Sequence, residues 1–340
     1  MLGACSTLPI NPPLPFTLNA VKDIAFDDVD WWHTTAEPLE PWVIRTGCSD
    51  WPLVDVAGIE EVIGVIKGDI NTPTVGIFQG RNNHTGRYFY DEDLTGMNFT
   101  QQRCHIDAFC EALLRASEEK QYLYSGSLPV AQTFPRWMQA VQASRVGQQF
   151  QAIKPLVSAW IGNQSRIAAH QDAKHNVVCN LVGTRRFVLF PPNQLENLYL
   201  GPLDVTPAGQ PISLVDFHAP DFSRFPRFKL ALEHAQVVEL HPGDLLILPA
   251  LWWHHVEGLS DINVMVNLWW NHEPAYAGAP MDALLHSLLN IRHLPASQRE
   301  YWRQCFNHYV FSGREDKHVL SSSGSEGISN LRAYLKRRLM

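Results

Sequence analysis

Residues 166–192 read "RIAAHQDAKHNVVCNLVGTRRFVLFPP", and the fold turns on how this stretch is taken. Its second half is two apolar runs, "NVVCNLV" and "FVLF", parted by Gly183 and Thr184. Short apolar runs rich in β-branched and aromatic residues, bounded by turn residues, read as strands. Its first half places His170 and Asp172 two positions apart, just before the apolar run. On a strand, residues two apart share a face. A carboxylate close to a buried segment is unfavourable unless it is paired. A metal ion answers that need, and a salt bridge or a solvated strand end is the plainer answer.

Working outward, residues from about 155 to 272 keep the same character. "LVSAWIG", "AQVVELHPGDLLILP" and "INVMVNLWW" are further strand-like runs, with "HPGD" as a turn between two of them. Many short strands at even spacing indicate a barrel or sandwich. One long polar insertion, "GPLDVTPAGQPISLVDFHAPDFSRFPRF" (201–228), interrupts them. Insertions of that length in a compact domain are usually lids or binding loops.

The flanks differ from this core. Residues 1–20 are proline-rich. "PWVIRTG" (41–47), "TPTVGIFQG" and "GRYFYDED" read as strands. "IEEVIGVIKG" (59–68) and "IDAFCEALLRASEEK" (106–120) have helical spacing. After residue 278 the chain turns helical in "MDALLHSLLNIRHL", "ASQREYWRQCFNHYVF" and "GISNLRAYLKRRLM", with "SSSGSEG" (321–327) expected as a flexible link. The expectation is one domain over 1–340: an N-terminal α/β flank (1–150), a mainly β core (155–272) and C-terminal helices (278–340).

Composition narrows the function classes. The 340 residues are 45% hydrophobic and 18% charged, with a formal net charge of −7. That is ordinary globular composition. No basic stripe is visible, which argues against general nucleic-acid or anionic-membrane binding. The six cysteines form no CxxC pair, and reduced thiols in a cytoplasmic protein are the expectation. "LGAC" near the start resembles a lipoprotein cleavage box, but no basic region or apolar run accompanies it.

A third ligand would complete a facial triad of two imidazoles and one carboxylate, the arrangement that leaves positions open on Fe(II). "LPALWWHHVEGL" supplies His254 and His255. Neighbouring strand residues face opposite sides, so only one of them points at the metal, and spacing does not choose between them. His175, three residues after Asp172, is expected at the rim of such a site. The remaining histidines read as surface or structural.

The segments "AAHQDAKHN", "GTRRFVLFPP", "LYLGPLD", "VDFHAPDFSRFPRF", "HPGDLLILPALWWHHVEGL" and "VMVNLWW" together resemble the JmjC or cupin-8 family. Within it the chain is similar to the asparaginyl-hydroxylase branch, and closer still to bacterial cupin-like members. The resemblance covers residues about 155–272, and "PWVIRTGCSDWP" and "YLYSGSL" extend it more weakly towards the N-terminus. It implies a double-stranded β-helix, or jelly roll, with Fe(II) and 2-oxoglutarate. It implies His170, Asp172 and His254 as metal ligands, with His255 turned away. It implies Asn176 and Asn267 near the cosubstrate, and Tyr122 on the cosubstrate's far carboxylate, with Tyr124 as the competing choice.

Two positions depart from the family pattern. Arg185 stands where relatives carry the lysine that binds that carboxylate, and Ile167 where they carry a threonine. Arginine can grip a carboxylate through two N–H groups. Strand alternation sends one of Arg185 and Arg186 inward, and Arg185 is the one expected there.

The activity implied is a 2-oxoglutarate-dependent dioxygenase that hydroxylates a C–H bond, by analogy on a protein or peptide side chain, with a small-molecule substrate as the other choice. The alternative is a metal-binding cupin acting as a non-oxidative scaffold or sensor. Trp252, Trp253, Trp269 and Trp270 are candidates for a dry aromatic wall, with core packing expected for at least half of them. Met281, Leu284, Leu285, Leu288 and Leu289 form a stripe at helical intervals. It suits either packing on the chain's own core or a homodimer through the C-terminal helices.

Overall fold

The run "NVVCNLV" is apolar on both faces apart from Asn176 and Asn180 because its strand has a packed layer on each side. In the computed structural model, which describes residues 12–56, 58–80, 86–272, 278–312 and 324–339, this strand is His175–Val182 and all of it after His175 is buried. Val177, Cys179 and Leu181 pack outward into one apolar cluster with the N-terminal flank. Val178 packs inward into a second cluster with Phe187, Leu246 and Met265. A strand covered on both faces loses the polar–apolar alternation of a half-exposed one.

Eight core strands follow in order: β1 (Leu156–Gly162), β2 (Ser165–Gln171), β3 (His175–Val182), β4 (Arg185–Phe190), β5 (Gln236–Leu240), β6 (Leu245–Leu248), β7 (Trp253–Gly258) and β8 (Asn263–Trp270). They fall into two sheets, one with the order β5-β4-β7-β2 and the other β6-β3-β8-β1. Every neighbour within these sets is antiparallel. This is the expected jelly roll, or double-stranded β-helix.

The turns follow from their residues. In "HPGD", Pro242 precedes Gly243, whose φ is +90°, and Asp244 N–H returns to His241 O at 3.0 Å. Proline then a positive-φ glycine is the pattern of a type II turn. Arg45 of the flank closes on it with an ion pair to Asp244 at 2.6 Å. Gly183, at φ +74°, turns β3 into β4, and a Cβ there would stand 2.4 Å from Ile262 O.

The N-terminal flank covers the edges of both sheets. Strands Asn19–Ala20 and Arg87–Tyr88 border the first sheet. Lys22–Asp23 and Trp42–Ile44 lie beyond β6 on the second, and Leu123–Pro129, Thr74–Gly80 and Phe99–His105 lie beyond β1. Covered edges do not pair with other chains. Helices Ile59–Asp69 and Ile106–Arg115 set Val62, Ile66, Phe109 and Leu113 into the outer cluster.

Three local expectations are corrected. The first helix runs through Gly68 to Asp69, whose buried carboxylate accepts from Arg136 N–H and Trp137 N–H, both at 3.0 Å, at the start of helix Pro135–Ala143. The second helix stops at Arg115 rather than 120. Gln121 N–H returns to Ala116 O, and Lys120 has φ +52°. The link expected over 321–327 is helical from Gly324, within helix Gly324–Leu339, while 321–323 lie outside the described residues.

The chain divides into two compact units, Met1–Asn271 and His272–Met340. The second holds helices Pro280–Ile291, Ala296–Phe306 and Gly324–Leu339. Leu284, Leu289, Trp302 and Phe311 are among its exposed apolar side chains. Among the described residues, no helix is long and apolar enough to cross a membrane.

Candidate metal centre

β2 and β7 are neighbours, and His170 and His254 are direct cross-strand partners. Their ring centroids are 4.2 Å apart. Asp172 follows the end of β2, with Oδ2 3.7 Å from His254 Nε2. One ligand atom from each of the three residues lies within 4.8 Å of the others, a grouping able to hold a metal ion.

The hydrogen bonds fix both imidazoles in the ligating tautomer. His170 Nδ1 donates to Ala168 O at 2.9 Å, and His254 Nδ1 donates to Trp252 O at 3.0 Å. A proton on Nδ1 leaves Nε2 with its lone pair free for a metal. Burial, reinforced by neighbouring His170, brings the His254 pKa down to about 4, so the ring is neutral at neutral pH.

A β-bulge aims these side chains. Val256 pairs with Ile167 and His254 with His170, so two β7 steps match three β2 steps. The extra β2 residue lies opposite His255. A bulge of this kind re-aims the side chains beside it. Ile167, His170, His254 and Val256 all line one cavity. The lead into β7 is also fastened to the ligand segment: Leu251, at φ +65°, donates its N–H to Asp172 O at 2.8 Å, and Leu251 O accepts from Gln171 Nε2 at 3.0 Å.

The cavity has a volume of about 450 Å³, within the range of small-ligand sites. Arg185 lines it from β4, is 2% exposed, and has an Nε without a hydrogen-bond partner. No ion-pair partner for it occurs among the described residues. Burial lowers its pKa to about 10, which still leaves it charged at neutral pH. A buried, unpaired guanidinium is unfavourable unless an anion meets it. The cavity therefore combines a metal-ready cluster with a cation waiting for a carboxylate. Those features fit a divalent metal and a small dianionic acid.

Asn176 and Asn267 also line the cavity. Asn267 Nδ2 donates to Asn176 Oδ1 at 3.1 Å, and Asn267 Oδ1 accepts from Trp160 Nε1 at 2.7 Å. Tyr122 precedes strand Leu123–Pro129 and does not line the cavity, whereas Tyr124 lies in it, stacked on Trp160 with centroids 6.0 Å apart. Burial pushes the Tyr124 phenol up, opposed by Arg185.

His175 is not at the rim. It accepts from Ala250 N–H at 3.1 Å and packs on Trp270. Of the four tryptophans, only Trp269 lines the cavity, while Trp252, Trp253 and Trp270 are core.

Several cavity residues escaped the sequence reading. Phe78, Tyr88 and Phe99 come from the N-terminal flank, Trp160 from β1 and Gln210 from the insertion. Strand alternation in "LVSAWIG" places Trp160 on the face opposite Val157, Ala159 and Ile161, which pack in the outer cluster.

The opposite face of the sheet carries a second cluster. His255 Nε2 and His218 Nε2 both donate to Glu257 Oε1, at 2.9 and 2.5 Å, and Arg186 Nη1 donates to Oε2 at 2.9 Å. Burial alone would raise the Glu257 pKa, but the two histidine hydrogen bonds outweigh it and hold the carboxyl below its ordinary value. His218, His255 and Glu257 also bring potential ligand atoms together. Both Nε2 atoms are spent as donors on one oxygen and Arg186 takes the other, so the carboxylate is satisfied without an ion.

Comparison with known proteins matches residues 31–276 to the family described as "Cupin-like domain". The chain is 33% identical over 140 residues to JmjC domain-containing protein F of Dictyostelium discoideum, covering 37% of this chain and 29% of that one. It is 33% identical over 134 residues to HSPB1-associated protein 1 of Homo sapiens, covering 38% and 26%. It is 30% identical over 112 residues to lysine-specific demethylase JMJ31 of Arabidopsis thaliana, covering 33% and 20%. The matched stretch spans less than a third of the length of these relatives.

Proposed function

The chain belongs to the cupin-like, JmjC-containing family, and on that premise we propose that it is an Fe(II)- and 2-oxoglutarate-dependent dioxygenase hydroxylating a C–H bond of a protein or peptide side chain. The observation that carries the reading is Arg185. Its buried guanidinium, whose Nε has no hydrogen-bond partner among the described residues, lines the same cavity as His170, Asp172 and His254.

In this reading His170, Asp172 and His254 would hold the iron. When bound, the iron would activate dioxygen, the oxidant, with one oxygen atom going to the substrate C–H bond and the other to 2-oxoglutarate, which is oxidised to succinate and carbon dioxide. Arg185 holds the far carboxylate of the keto acid, with the Tyr124 hydroxyl beside it. Asn267 and Asn176, locked by their mutual hydrogen bond and by Trp160, offer fixed polar contacts near the metal. Ile167 presents a methyl group where relatives have a hydroxyl, so Arg185 carries more of the grip. Phe78, Phe99, Trp160 and Trp269 keep water from the reacting centre.

A protein substrate is supported by relatives whose names specify action on lysine or association with another protein. The insertion 201–228 contributes Pro207, Ala208, Gln210 and Ile212 to the cavity wall, which suits it as the substrate platform. The exposed Leu284, Leu285 and Leu289 of helix Pro280–Ile291 suit a homodimer through the C-terminal helices, which sedentation in solution would test by mass. The free thiols Cys48, Cys104, Cys110, Cys179 and Cys305 suit a reducing cytoplasm.

The deciding experiment adds Fe(II) and 2-oxoglutarate without oxygen and records the visible charge-transfer band of the chelate. Succinate release is then measured after air is admitted. A band followed by succinate supports the dioxygenase. Bound iron with no band and no succinate replaces it with the non-oxidative scaffold.

A further inference from the structure

The insertion 201–228 is tied to both faces of the sheet that carries the candidate metal ligands. On the outer face, His218 Nε2 donates to Glu257 Oε1 at 2.5 Å, and Asp216 pairs with Arg87 at 3.4 Å. On the cavity face, Gln210 Nε2 donates to Asp172 Oδ1 at 2.9 Å. Gln210 itself lines the cavity. The same loop thus holds a fixed anchor on one side and touches the carboxylate of the metal cluster on the other.

We propose that Gln210 is a positioning residue for Asp172, and that the insertion, anchored through His218 and Glu257, tunes the affinity of the metal centre. This rests on the metal-centre reading above. A carboxylate has two oxygens and can bind a metal through either or both. Asp172 Oδ2 is the oxygen directed at His254, 3.7 Å from its Nε2. The Gln210 amide hydrogen occupies Oδ1, which favours attachment through Oδ2 alone. One-oxygen attachment leaves more of the metal's coordination sphere for cosubstrate. The amide is neutral, so it orients the carboxylate without competing with the metal as a second cation. Partners of this kind are worth 10- to 100-fold in metal affinity in characterised sites.

The test uses the metal-free full chain and Co(II), read by titration calorimetry and by the visible d–d bands of the bound ion. Gln210→Met keeps the length of the side chain and removes the donor, and Gln210→Lys keeps a donor but adds a positive charge. Gln210→Met is expected to weaken Co(II) about tenfold or more and to shift the bands, with Tm of the metal-free protein unchanged. Gln210→Lys is expected not to recover that affinity, because its ammonium competes with the metal for the Asp172 carboxylate. His218→Gln, on the opposite face, is expected to weaken Co(II) more modestly and to add nothing on top of Gln210→Met, because both act through one contact. If the unsubstituted chain binds no Co(II), the metal-centre reading and this proposal both fall. If it binds, and Gln210→Met stays within about twofold with unchanged bands, the proposal alone is overturned.

Discussion

His170 and His254 face one another across the β2–β7 ladder as direct partners, with ring centroids 4.2 Å apart. Their neighbour His255 projects from the opposite face of the sheet, where it donates to Glu257 of the same strand. Two adjacent histidines thus have opposite fates, and substitution separates them. His254→Ala is expected to abolish stoichiometric metal binding. His255→Ala is expected to retain the metal while lowering unfolding free energy by about 1–3 kcal/mol, since Glu257 loses a buried donor. Metal content by atomic emission and a urea titration read the two effects.

Arg185 gives an unusual pair of signs. Arg185→Met removes a buried charge that has no ion-pair partner among the described residues, so stability without ligand should hold or rise. Binding of 2-oxoglutarate should weaken about 10- to 100-fold, the worth of charge-assisted hydrogen bonds. Isothermal titration of the Mn(II)-loaded protein measures the second effect. Unchanged cosubstrate affinity would remove Arg185 from the site.

Tyr124 lies in the cavity and Tyr122 outside it. Tyr124→Phe is expected to raise the KM for 2-oxoglutarate about fivefold, the equivalent of one hydrogen bond near 1 kcal/mol. Tyr122→Phe should leave it unchanged. Steady-state succinate production across a cosubstrate series distinguishes them, and the reverse pattern would restore Tyr122.

Acid should destabilise the metal-free protein early. His254 falls to about 4 in the fold, from an ordinary 6.5. Between those values the unfolded chain takes up a proton that the folded chain refuses. The unfolded state binds more protons there, so the contribution of neutral His254 is intact above pH 6.5 and declines as pH falls towards 4. Urea midpoints at pH 7, 6 and 5 should decrease in that order. His254→Gln should flatten the decline, and an equally steep fall in that variant would assign it to other groups.

Local pattern made much of this molecule legible from residues alone. "NVVCNLV", "RRFVLF" and "INVMVNLWW" are strands because β-branched and aromatic runs bounded by turns have few other stable uses. "HPGD" is a turn because proline and glycine there supply its dihedral angles. The pairing of a histidine with an aspartate two positions later singled out β2 as a site strand, and strand alternation required that Arg185 and Arg186 face opposite ways.

Tertiary structure decided what depends on partners distant in sequence. Simple alternation would put Ile167 and His170 on opposite faces, three residues apart. The bulge opposite His255 puts both in the cavity, and a bulge exists only between two paired strands. The choice of His254 over His255 by geometry needed the same ladder. Phe78, Tyr88 and Phe99 reach the cavity because the flank extends the sheets at their edges, and Gln210 reaches Asp172 because His218 and Asp216 hold its loop in place. Periodicity along a chain reports which side of a strand a residue occupies, but which strands meet, and in what register, is set by packing summed over the whole core.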